Sequence, residues 1–172
     1  MSDRDPVLVA FVVAPALLVV EMVAHEVVHA AIDFAATGTV ASCGLGPWTY
    51  RAGRLLTCYG SPNVSDWNNF LTPLIMATAG ILAMYASENV SDPGVRWAVL
   101  VTGAGVTLYE SLYAAAIWGT PLVRPSGVIY RGDGIDAVEA FGPGAMLPGM
   151  VLFAVGFWVL VGRVSEAERD SG

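Results

Sequence analysis

The chain has 172 residues, of which 55% are hydrophobic and 13% charged, a balance outside ordinary soluble domains and inside that of helical membrane proteins. Its formal charge is −7 and its eight basic residues are all arginine, which argues against nucleic acid as a partner. An acidic, lysine-free chain rich in Ala, Val and Gly points to a salt-adapted microbe, and the length to one membrane-embedded domain over residues 1–172.

In chain order, the acidic start Met1-Ser2-Asp3-Arg4-Asp5 leads into an apolar run with no small-residue cleavage site, so residues 6–36 read as a retained first span rather than a leader. Residues 37–67 carry glycines and prolines that exclude a long helix. Within them, 40–43 and 55–59 read as two short strands, a Gly-rich hairpin at the membrane face. Cys43 and Cys58, the two cysteines, are too few and too far apart for a zinc ribbon. They would pair only on a face open to an oxidising compartment, and otherwise read as small, partly buried side chains.

Residues 68–87 form the second span, 88–93 a turn, 94–118 a third span, 119–141 a longer connection and 145–161 a fourth. The expected fold is therefore all-α, integral to the membrane and multi-pass, with about four spans and both termini on one side. Arg4, Arg96, Arg163 and Arg169 fall on one side, and Arg51, Arg54, Arg124 and Arg131 on the other. The arginine bias therefore sets no orientation.

Chemistry concentrates in the first span. His25-Glu26-Val27-Val28-His29 contains both histidines of the chain, spaced four apart so that one helical face carries two imidazoles with a carboxylate beside them. This H-E-x-x-H pattern is the zinc-protease signature: the imidazoles bind zinc, and Glu26 serves as general base and then acid. Glu21, His25, His29 and Asp33 recur every four residues and span an arc of about 120°, with Glu26 just beyond, so one stripe holds every ionisable group of the helix. Glu21 or Asp33 is placed to bond the outer nitrogen of a histidine. A polar stripe that merely packs between helices would explain the acids, but not the histidine spacing.

Two imidazoles leave tetrahedral zinc in need of a third protein ligand. The histidines lie toward the end of their helix, the face from which the first and third loops emerge. Asp133 and Asp136, in Arg131-Gly132-Asp133-Gly134-Ile135-Asp136, belong to that face. Glu110 competes from a similar depth in the third span, where an embedded acid is a functional candidate by default.

These residues resemble the site-2 protease family of intramembrane zinc metalloproteases. The resemblance rests on the pentapeptide in a spanning helix, the Gly-rich loop after it, and Asp133-Gly134 ahead of the last membrane segment. It implies zinc as cofactor and His25, His29 and, from the family's Asp-Gly motif, Asp133 as ligands, with Asp136 and Glu110 as alternatives. It implies a zinc metalloendopeptidase that cuts a membrane-protein substrate in or near a transmembrane segment. That segment must unwind, and a strand edge of the hairpin could receive it. The chain differs in having no Asn-Pro before Asp133 and in opening its second span with Asn68-Asn69-Phe70-Leu71-Thr72-Pro73. Asn68 or Asn69 would steady the substrate or an oxyanion, or cap their own helix.

Two other readings use the same residues. A divalent-metal transporter would use Glu21, Asp33 and Glu110 with the histidines as an ion path, but clustering toward one face disfavours it. A non-catalytic protein that binds membrane helices and keeps a structural zinc would have no use for Glu26.

Overall fold

The long apolar runs form helices, and the computed structural model describes residues 6–38, 42–44, 57–59, 65–116, 122–123, 129–130 and 133–170. The helices are α1 (Pro6–Thr37), α2 (Ser65–Ala86), α3 (Pro93–Ala114), α4 (Asp133–Phe141) and α5 (Met146–Asp170). Two antiparallel strand pairs are very short: β1 (Ser42–Gly44) with β2 (Thr57–Tyr59), and β3 (Leu122–Val123) with β4 (Ile129–Tyr130). Cys43 stands opposite Cys58 in register. Their side chains, the turn joining β1 to β2, and the four arginines at 51, 54, 124 and 131 lie outside the described residues.

Three helices are long and apolar enough to cross a membrane, over Phe11–Thr37, Asp66–Asn89 and Pro143–Glu166. The fourth span expected at 94–118 falls on α3, which is not among them. Thr102, Gly103, Gly105, Thr107, Glu110 and Ser111 dilute its apolar character, and the helix gives way at Ala115, with Ala116 at a left-handed φ of 56°. The reason is position: α3 packs against α1, α2 and α5, so its surroundings are mostly protein. The outer helices show the complementary pattern, with Phe11 77% and Trp158 72% exposed.

Two further bounds differ from the sequence reading. The connection at 119–141 contains α4, a helix whose first turn carries Asp133 and Asp136, acids that favour a helix N-terminus. α5 runs nine residues beyond 161, to Asp170. There Arg163 pairs with Glu88, approaches Glu166 at 3.0 Å and lies 4.8 Å over the Tyr85 ring, tying α5 to the end of α2.

The bundle has an apolar end and a polar end. Ile81, Met84, Leu100, Ala104 and Val159 make the apolar core, backed by Leu152 and Leu160. Between the ends, glycines let backbones approach as they do in membrane bundles. A β-carbon at Gly80 would stand 2.6 Å from the Gly103 carbonyl and 2.8 Å from the Thr107 nitrogen. One at Gly149 would stand 2.7 Å from the Ser111 carbonyl of α3. Thr107 Oγ1 donates across the same seam to the Ala77 carbonyl at 3.2 Å.

Gly80→Val should force α2 from α3 and cost about 1–3 kcal/mol, read as a lower thermal midpoint of the detergent-purified protein. Gly105→Ala, where an added β-carbon meets nothing within 4 Å, should leave the midpoint unchanged or raised.

Candidate metal centre

The described buried side chains of α1 are His25, Glu26, His29 and Asp33, all ionisable. A helix that turns its apolar residues outward and its charges inward is compatible with a membrane span that has a polar site inside the bundle.

The two rings are held from behind. His25 Nδ1 lies 3.0 Å from Glu110 Oε1, a carboxylate that can only accept while ionised, so Nδ1 carries a proton and, in the neutral ring that a metal requires, Nε2 is the ligand atom. His29 Nδ1 lies 2.7 Å from Asn68 Oδ1. The orientation of that amide is fixed independently: its Nδ2 donates to the His29 carbonyl at 2.9 Å and to Asp33 Oδ1 at 3.3 Å. Thr72 Oγ1 also donates to Asn68 Oδ1, at 3.0 Å. The atom facing the His29 ring is therefore an acceptor and Nδ1 donates to it, which in the neutral ring leaves the second Nε2 as a ligand atom as well.

Both Nε2 atoms meet one carboxylate oxygen. His25 Nε2 and His29 Nε2 are 3.1 Å apart, and Asp133 Oδ2 lies 3.4 Å from the first and 3.2 Å from the second. The edge of a tetrahedron whose vertices lie about 2.0–2.1 Å from its centre is about 3.3–3.4 Å, so this triangle matches three ligands of a tetrahedral ion. With both rings neutral, three lone pairs converge here, an arrangement that a bound cation relieves. The group His25, His29 and Asp133, all buried, could hold a metal ion.

Asp133 is placed by the start of α4. Its backbone N–H donates to the Tyr113 hydroxyl at 3.1 Å. A β-carbon on Gly134 would collide with the Tyr113 carbonyl and stand 3.1 Å from the Ala116 nitrogen, so only glycine lets α4 approach α3 this closely. Asn69 Nδ2 donates to Asp136 Oδ2 at 3.2 Å, fixing the next part of α4 to α2. Phe141 packs on Trp67 and Phe70, with ring centroids 4.6 and 5.6 Å away, and anchors the far end of α4 to the same helix.

Of the three candidates for third ligand, the structure thus brings Asp133 to the histidines. Asp136 is half-buried and turned to Asn69, and Glu110 stands behind His25 on Nδ1. The outer nitrogens are held by Glu110 and Asn68 rather than by Glu21 or Asp33. Asn68 is no helix cap, since α2 begins at Ser65. Glu26 is 4% exposed on the buried face of α1.

The sequence reading missed the roles of Thr72 and Tyr113. Asn68 and Thr72, four apart on an apolar helix, are a polar stripe of the same kind as that of α1 and could have signalled a facing site. Tyr113 gave no comparable signal. Compared with known proteins, the chain matches no family model, no curated protein and no solved structure.

Asn68→Ala removes both the partner of His29 Nδ1 and the clamp on its backbone, and should weaken metal binding about 10–100-fold. Competition with a chromophoric chelator measures this, with exposed Asn89→Ala expected to bind as the wild type does.

Proposed function

We propose that this chain is an intramembrane zinc metalloendopeptidase that hydrolyses peptide bonds in or near transmembrane segments of other membrane proteins. The observation that carries the reading is the convergence of both Nε2 atoms and Asp133 Oδ2 on one point, with buried Glu26 next to His25 in the chain. Two nitrogens and one oxygen, closely spaced and leaving a fourth position open, are the donor set of catalytic zinc. Bound zinc would supply a Lewis acid that polarises the scissile carbonyl and acidifies water.

The protein groups do the rest. Glu26 takes the proton from the attacking water and returns one to the departing amine, which must leave protonated. Glu110 and Asn68 hold the two rings so that both lone pairs stay aimed at one point. Asp133, fixed through Tyr113 and Gly134, closes the third side. α3 serves as the fourth span, shielded from lipid by its neighbours. Buried on most of its length, it needs less apolar character than the outer helices do.

The substrate class follows from location. A helical peptide bond is shielded by its own hydrogen bonds, so a membrane segment must be extended before it can be cut. β2 packs against α1, the helix that carries the histidines, and the β1–β2 pair offers a backbone edge on which an extended segment can be held.

With a single-pass membrane protein as substrate in reconstituted vesicles, Glu26→Gln should lower cleavage by about 10²–10⁴-fold and leave zinc content intact. Undiminished cleavage by the purified variant would overturn the mechanism.

A further inference from the structure

A second group of potential ligands lies behind the first, and its Glu21 is a carboxyl for which hydrolysis has no use. Glu21, His25 and Glu110 each place a ligand atom within 4.8 Å of the others. Glu110 is 1% exposed. Its Oε1 accepts from His25, while Oε2 has no hydrogen-bond partner. Glu21 Oε1, also buried, has none either. Only four buried side-chain atoms among the described residues lack a partner, and two of them belong to this pair of neighbouring carboxylates.

No described arginine reaches this pair. Among the described residues Arg163 is held at the end of α2 and Arg96 is exposed at the start of α3, both at the far end of the bundle. His25 contributes one N–H to one oxygen of the pair. Two adjacent carboxylates inside an apolar bundle, each with an oxygen that nothing satisfies, form a binding place for a positive ion.

We propose that Glu21 and Glu110 form a second cation site, selective for a hard, oxygen-preferring divalent ion of the Mg²⁺ or Mn²⁺ kind. It lies one helical turn from the histidine group, toward the middle of α1. Glu110 belongs to both: Oε1 holds His25, and Oε2 faces the second ion. His25 keeps its Nδ1 proton for Glu110 and its Nε2 for the first site, so each site can fill with or without the other. The proposal stands on the acid pair and holds whether or not the histidine group serves hydrolysis.

The test uses the full chain, purified in detergent, loaded with one equivalent of zinc and titrated with Mn²⁺. Loss of the free-ion paramagnetic resonance signal reports binding. The wild type should take up one Mn²⁺ beyond its zinc. Glu21→Gln, which preserves shape, should weaken that uptake by about tenfold or more and leave zinc content unchanged. His29→Ala should abolish zinc binding and spare Mn²⁺. A wild type that takes up no Mn²⁺, or uptake that is the same in Glu21→Gln, overturns the second site. Mn²⁺ uptake by a wild type that holds no zinc would overturn the hydrolase reading and leave this one standing.

Discussion

The hydrogen bonds behind the two imidazoles are the constraint on which the polar end of the bundle depends. Each fixes a proton on Nδ1, so that the neutral ring ligates through Nε2, and because His25 and His29 are one turn apart the two Nε2 atoms face the same point. A buried ring N–H left without an acceptor would cost about 1–3 kcal/mol, so Glu110 and Asn68 stabilise the rings as well as aim them. The bonds also join helices: one runs from α1 to α3, the other from α1 to α2. Their geometry depends on how closely those helices pack.

That closeness is set in the middle of the bundle. Gly80 against Gly103 and Gly149 against Ser111 bring α2 and α5 onto α3 at backbone distance, and the apolar core beyond them fixes the far end. α3 is therefore the reference element. It carries Glu110 toward α1 and Tyr113 toward α4, so two sides of the metal site hang from a single turn of one helix. The small and polar residues that weaken α3 as an apolar span are the ones that let it be central.

Local repetition explains what the sequence made readable. The stripe from Glu21 to Asp33 is a property of one helix, and its period alone puts five ionisable residues near one face. The three apolar spans are equally local. The partners of the histidines are not: Asn68 lies 39 residues from His29 and Glu110 lies 85 from His25, and no spacing rule connects residues across helices. For the same reason Asn68 read as a cap or a substrate contact, although α2 starts early enough to place it inside the helix. α4 was hidden by its shortness, since nine residues show too little periodicity to stand out in a glycine-bearing connection.

The choice of Asp133 over Asp136 illustrates how the local and the long-range combine. Three residues apart on a helix, the two carboxylates point about 60° away from each other, and the rotation of α4 sets which of them meets the histidines. Gly134 decides which. Without a side chain it lets the first turn of α4 press against the Tyr113 carbonyl, which brings the helix start, and with it Asp133, up to α1. Asn69 then takes Asp136 and holds that rotation of the helix. An aspartate followed by glycine therefore has a mechanical meaning here: the glycine sets the distance, and the aspartate uses it.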